Sequence, residues 1–511
     1  MAVAPLVVIL AIACGLRIHG LSSTNFWVDE LSSLQLSSGY RAGETSLPRN
    51  QIIRNKTDTA RLEHARPWAQ IFSAMKSDTH PPIYSLLLRL WRVCFGDSDA
   101  AMRSLSVVCS IIAILLIYDA ARLLHGQDVA IWAAAIMSVA SAQIEFAQEA
   151  RSYELLTMLL VGIVWMVVRI ERFGATPLRL TALSAMSLIA ALTHYLAIPA
   201  ELAMGIYILA RFRGRMRTAA FTTMTVAGIL FLIIGGPLLW AQRENFSANL
   251  DWLADKKPGL IWRTLERLAT LPLQYFLAPA GTGGKLRWIG AALYLLPLMA
   301  LRRRDLLIWV LLGGAIIGTT ALCDVVQHRE GLSRLRMTVA AAPAFYVAMI
   351  AVASSLPRRR MVHAMGAAIV LCCLIALPDA YQRPLKPHWR QFAARFDQLA
   401  SPQDVLVVPF ESRKQNWEDA LMLVGLQRYS AHPDRPVLVL SEPLTPQVRA
   451  QLRAAPGAWF LTTAQHSPVD WYVPGAGGES SMWAPGAGSL MKLTLGPPPA
   501  TAKSTPPSPP P

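Results

Sequence analysis

Charge is what this chain has least of. Asp, Glu, Lys and Arg together make up 16% of its 511 residues, where a soluble domain carries about 25%. With 53% hydrophobic residues and a mean hydropathy of +0.37, that deficit excludes an ordinary soluble globular protein. Cysteine is scarce as well. Cys14, Cys94, Cys109, Cys323, Cys372 and Cys373 lie mostly in or beside apolar runs. They show neither metal-ligand spacing nor a paired framework in a soluble loop, so they read as small core hydrophobes. No basic segment precedes the first apolar run, which is therefore expected to remain as an uncleaved helix. Internal repeats are absent too.

What the chain does have is apolar runs of membrane length, roughly 18 to 22 residues at their fullest. In a bilayer such runs must be helices, because unpaired backbone groups cannot be hydrated there. The fold class expected is an all-α polytopic membrane protein of about eleven spans. The first runs from Ala2 to Leu21 and is broken by Arg17. Others are expected near Ala101–Leu123, Val129–Ala147, Glu154–Val168, Leu180–Thr193, Leu196–Ala210 and Thr218–Trp240. The last four are placed near Trp288–Leu301, Asp305–Leu322, Met337–Ser355 and Met361–Leu377. Pro81–Phe95 is too short to cross, and its apolar stripe predicts a helix lying on the membrane, opened by prolines.

The net charge of +16 is informative by its placement. Arginines cluster at Arg169, Arg172 and Arg179, at Arg211 to Arg217, at Arg302 to Arg304 and at Arg358 to Arg360. These clusters fall between alternate pairs of spans, which is the positive-inside pattern. They set topology and exclude nucleic acid as a partner, since a nucleic-acid patch would not alternate with spans. With the clusters inside, Ser22–Pro82, Gln143–Tyr153, His194-Tyr195, Ala241–Lys285, Cys323–Arg336 and everything after Pro378 face outward.

Composition changes near the C-terminal end. A helix is expected from His388 to Leu399, and β-like runs at Val405–Pro409, Val437–Leu440 and Ala458–Thr462. The division expected is a membrane module over 1–378 with a first outer loop at 22–82. A small outer α/β domain over 379–496 and a disordered Pro-rich tail over 497–511 follow.

Ionisable residues at membrane ends mark a site by default, and three groups fall on the same side. Asp29 and Glu30 follow the first span. On a helix they point about a hundred degrees apart, so they suit two substrates better than one ion; a carboxylate there can take a proton from a nucleophile. Both are equally at home in a helix first turn as partners of its dipole. His80 precedes two prolines that stiffen its backbone. Arg151 sits in a short outer loop, where its fork matches a phosphate oxygen pair or simply anchors the chain at the interface. Glu149 could orient or neutralise it. Arg334 and Arg336 are a second candidate phosphate contact.

Three motifs occur in order: Trp27-Val28-Asp29-Glu30, then Thr79-His80-Pro81-Pro82-Ile83-Tyr84, then Gln148-Glu149-Ala150-Arg151-Ser152-Tyr153. Together they resemble the membrane-embedded GT-C glycosyltransferases, in particular the protein mannosyltransferase, aminoarabinose transferase and Rgt-like group. The resemblance covers Ala2 to Tyr195 well and the later spans loosely. It implies inverting transfer of a sugar from a polyprenyl-phosphate carrier to a glycan, lipid or protein hydroxyl, on the periplasmic face of a bacterial inner membrane. By position it makes Asp29 the base and gives Glu30 a role in placing acceptor or sugar. His80 would contact the donor or order the first loop. Arg151 would hold the leaving phosphate, with Glu149 and Tyr153 beside it. The family often has Arg-Tyr where this chain has Arg336-Met337, which puts the substrate-binding role of Arg336 in question. No glycine loop for a nucleotide is evident, in keeping with a lipid-linked donor. No cofactor is firmly implied; Asp29 and Glu30 could hold a divalent metal, although no ligand set accompanies them. The rival classes are a transporter or flippase of a lipid-linked sugar, which should carry polar groups through mid-membrane, and an assembly subunit with degenerate motifs.

Overall fold

A computed structural model of the chain describes residues 3–44, 47–54, 57–250, 253–254, 257–277, 286–293, 304–355, 360–381, 389–409, 417–462, 473, 476–484 and 488–495. Most of the second half of the span expected at Trp288–Leu301, the arginines at 302, 303, 358 and 359, and the tail expected at 497–511 lie outside these residues. The chain folds as two compact units: Met1–Leu21 with Met75–Arg383, and Ser22–Ala74 with Pro384–Pro511. Residues 22–74, grouped with the membrane spans on sequence, thus fold with the C-terminal segment.

In chain order the first helices are α1 (Val3–Ile18), α2 (Val28–Ser37), α3 (Ala69–Met75), α4 (Ile83–Phe95), α5 (Asp99–His125), α6 (Gln127–Val139), α7 (Ser141–Ala147) and α8 (Tyr153–Phe173). They are followed by α9 (Pro177–Ala191), α10 (Ala197–Arg211), α11 (Gly214–Ile234) and α12 (Gly236–Leu250). Among the described residues, α5, α8, α11 and Leu307–Val326 are long and apolar enough to cross a membrane, and a fifth span results if α6 and α7 count as one. Shorter apolar helices accompany them at Ala4–Ile18, Pro177–Ala191, Val339–Ala353 and Arg360–Ile375. The protein is mostly helical and integral to a membrane.

The caps follow elementary rules. Ser98 accepts from the Ala101 amide at the start of α5, and Thr176 does the same for Arg179 ahead of Pro177 in α9, as the orphan donors of a first turn require. Helix α4 turns its charges inward: Arg89 and Arg92 are buried while Leu90, Val93 and Phe95 are exposed. Arg92 pairs with Asp97 at 2.6 Å. A short helix with its apolar side outward suits the membrane interface.

The run read as one span at Val129–Ala147 is broken. Helices α6 and α7 meet at Ala140 with a 58° bend, and the break strands carbonyls at the end of α6. Arg17, fully buried, supplies the donors. Its guanidinium donates to Ser138 O at 2.8 Å, to Met137 O at 3.0 Å and to Ser110 Oγ at 2.9 Å. The charge that interrupts the first apolar run is therefore the cap of a broken helix elsewhere. Arg17→Met would leave buried carbonyls unmade, each costing about 1–3 kcal/mol. The variant should melt well below the parent in detergent, and an unchanged melting midpoint would refute this role.

In the second unit a six-stranded sheet has the order β1-β3-β2-β4-β6-β5, with β1 at Ile52–Ile53, β2 at Val405–Pro409, β3 at Val437–Leu440, β4 at Ala458–Thr462, β5 at Ala476–Ala484 and β6 at Gly488–Leu495. The central strands β3, β2 and β4 run parallel and are apolar up to Thr462 at the end of β4, as strands buried on both faces are. Helix α2 packs on the helix Trp417–Tyr429. That helix needs Gly425, because a Cβ there would come within 2.8 Å of Trp389.

Candidate active site

The first unit brings the ends of several helices together around residues 78–83, 148–153 and 192–196. Asp78 organises the first of these. Its Oδ1 accepts from the Thr79 amide at 2.6 Å and the His80 amide at 2.9 Å, and it contacts His80 Nδ1 at 2.7 Å. A short polar side chain reaching its own following amides is what makes Asp a turn residue; here the same turn also orients the imidazole. Burial alone would raise the Asp78 carboxyl. His80, its hydrogen bond, Arg151 and the Thr79 amide outweigh that and hold it below the ordinary range. A lowered folded pKa means that the group stabilises the fold above the usual carboxylate range and stops doing so as pH falls through the lowered value.

The neighbouring segments are tied to this turn. The Ile83 amide donates to Leu192 O at 3.1 Å. Gln242, fully buried on α12, donates to Met75 O at 2.7 Å and to His80 O at 3.0 Å, and accepts from the Tyr195 hydroxyl at 2.6 Å. His80 and His194 stack edge to face with ring centroids 5.1 Å apart, and Tyr153 lies 6.3 Å from His194.

Arg151 completes the group. It is 8% exposed, its guanidinium lies 5.7 Å from the centre of the Tyr153 ring, and its charge acts on Asp78 and His194. The loop that carries it is held from both sides. Ser106 Oγ on α5 donates to Glu149 O at 2.6 Å. Gln148 Nε2 donates to His19 O at 2.7 Å and Arg17 O at 3.0 Å, satisfying carbonyls that the end of α1 leaves open. Buried Glu149 is two residues from Arg151. Arg336 sits half-buried on a 3₁₀ turn, Leu335–Met337, just after a turn whose Gly331 and Leu332 amides bind the Asp324 carboxylate at 2.6 and 2.9 Å.

Asp29 and Glu30 belong to the other unit, in the first turn of α2. Glu30 is fully buried, and its Oε2 accepts from the Trp27 amide at 3.3 Å, the return half of a capping box. Asp29 is half-buried one residue earlier. Among the described residues no group of three or more His, Cys, Asp or Glu could hold a metal ion.

Of the residues expected from sequence, His80, Arg151 and Tyr153 are thus brought to one place. Asp78, His194 and Gln242 were not singled out. Asp78 could have been found, since an Asp two residues before a histidine and two prolines signals a turn. Gln242 had no local signal, because its partners lie 47 to 167 residues away.

A buried arginine, a histidine pair and an aspartate are thus gathered where helices of the membrane bundle end. ArnT from Cupriavidus metallidurans in the apo state matches over 96% of this chain and 98% of its own, at 13% identity and a TM-score of 0.58. The same protein bound to undecaprenyl phosphate matches equally. The Archaeoglobus fulgidus oligosaccharyltransferase tethered with an acceptor peptide matches at 12% identity over 86% of this chain and 64% of its own, with a TM-score of 0.46. Residues 79–240 match the family described as dolichyl-phosphate-mannose-protein mannosyltransferase. No curated protein sequence gives a significant match. The chain has the GT-C glycosyltransferase fold, and the resemblance read from its motifs is borne out.

Proposed function

We propose that this chain is an inverting glycosyltransferase that takes a sugar from a polyprenyl-phosphate-linked donor and passes it to an acceptor hydroxyl on the periplasmic face of a bacterial inner membrane. The observation that carries this reading is the placement of Arg151, buried against Tyr153 and beside Asp78, His80 and His194. A guanidinium fork pairs with two phosphate oxygens, and a lipid phosphate departs more readily beside a fixed cation. The fold is also that of a protein solved with undecaprenyl phosphate.

In this mechanism the acceptor oxygen attacks the anomeric carbon as its proton passes to Asp29. The bond from sugar to phosphate breaks, and polyprenyl phosphate leaves on Arg151. Glu30, next to Asp29 in the first turn of α2, places acceptor or sugar. His80 and Tyr153 border the donor phosphate, Glu149 balances the charge of the arginine loop, and Arg336 is a further phosphate contact. The outward placement of these groups rests on the arginine clusters, which keep the opposite ends of the spans in the cytoplasm.

The test is to incubate the purified protein in lipid with a panel of polyprenyl-phosphate sugars and hydroxyl acceptors. Release of polyprenyl phosphate that depends on acceptor is the expected result. Donor carried intact across the bilayer without release would instead identify a flippase.

A further inference from the structure

His194 has a feature that the mechanism above leaves unused. The ring is 8% exposed, and among the described residues its one hydrogen bond is accepted at Nδ1 from the Leu196 amide at 3.2 Å. An imidazole nitrogen that accepts carries no proton, so in the neutral ring the proton resides on Nε2. The ring is also kept neutral. Burial first, then His80 and Arg151, push its pKa well below the ordinary histidine value, with Asp78 opposing. The result is an N–H of fixed direction for which no hydrogen bond is formed among the described residues. Such a donor is free to bond a group that arrives from outside the protein.

The Asp78 carboxylate is not that acceptor. Asp78 is already engaged by two backbone amides and the His80 ring. The Arg151 guanidinium lies 5.7 Å from the centre of the Tyr153 ring, itself 6.3 Å from the His194 ring, and this setting favours an anion as the incoming acceptor. The His80 ring stacked edge-on and the Tyr153 ring on another side hold the imidazole in place.

We propose that His194 is a ligand of the donor phosphate: its Nε2–H hydrogen-bonds a non-bridging phosphate oxygen of the lipid-linked substrate, beside the oxygen pair gripped by Arg151. This rests on the phosphate-binding reading of the site given above. A neutral donor gives direction without adding a second fixed charge next to the arginine, where two cations would repel.

Two amide substitutions separate this role from a structural one. In His194→Asn the side-chain oxygen sits near the Nδ1 position and can still accept from the Leu196 amide, but no N–H reaches the Nε2 position. In His194→Gln an amide N–H does reach it. With the full chain in lipid nanodiscs and undecaprenyl phosphate as the probe, His194→Asn should weaken binding about ten- to a hundredfold, the usual range for a hydrogen bond to a charged group. His194→Gln should recover most of that loss, at unchanged melting temperature. Arg151→Ala is measured alongside. If it weakens binding while His194→Asn does not, the inference fails and the phosphate site stands. If neither variant differs from the parent, the phosphate reading of the site fails first. Equal losses in Asn and Gln would mark His194 as structural and overturn the inference. Inorganic phosphate that displaces the lipid at comparable concentration would reassign the site to free phosphate.

Discussion

Asp29→Asn is expected to slow single-turnover sugar transfer by about a hundred- to ten-thousandfold, the usual contribution of a general base, with donor binding nearly unchanged. The amide matches the carboxylate in shape and still accepts a hydrogen bond, but it cannot take the acceptor's proton. Asp29 lies half-buried in the first turn of α2. Glu30 is the internal control. Its carboxylate accepts from the Trp27 amide, which a glutamine oxygen can also do, so Glu30→Gln should keep the cap, preserve most of the chemistry and weaken acceptor affinity. Single-turnover transfer measured beside donor binding decides the matter. Full transfer by Asp29→Asn removes it from the catalytic role.

Arg151→Ala is expected to cost about a hundred- to a thousandfold in turnover, the scale of losing one preorganised donor to developing negative charge, and to weaken donor binding as well. Arg151→Lys keeps the charge as a point donor and loses the fork, so it should retain more of both. The motivation is a guanidinium buried beside Tyr153 on a loop tied down by Ser106 and Gln148. That restraint limits the entropy lost when the substrate binds. Donor affinity measured by equilibrium binding, with released polyprenyl phosphate as the rate readout, provides the check. Unchanged affinity in the alanine variant would leave Arg151 as an interfacial anchor, and Arg334 with Arg336 would become the next phosphate candidate.

The helical spans could be read because their apolar runs leave little alternative. Their interruptions could not. The run at Val129–Ala147 contains no proline or glycine to announce a bend at Ala140, and the residue that stabilises the bend, Arg17, lies 121 positions from Ser138. Strands β2, β3 and β4 stood out as short β-branched or aromatic runs. Strand β5 did not, because Gly477, Gly478, Ser480 and Ser481 obscure any alternation, and β1 is only two residues long. Within the site, His80, Arg151 and Tyr153 were legible as ionisable or aromatic residues at membrane ends. His194 was read only as part of an outward loop, since the feature that matters there, a proton fixed on Nε2 by a backbone amide, exists only in three dimensions.

The pairing of β1 with β3 has a bearing on how the chain is made. Around it the Phe26 amide donates to the Tyr429 hydroxyl, 403 residues later, and Asn50 pairs with Ser441, 391 residues later. At a synthesis rate of roughly 5–20 residues per second, the early partners emerge on the order of 20–80 seconds before the late ones. During that interval the segment carrying Asp29 has no sheet to join and no Trp417–Tyr429 helix to pack on. The last stretch of translation therefore completes the surroundings of one of the first residues made, and a ribosome that stops short of Val437 releases a chain whose spans are all present but whose proposed base has not reached its final setting.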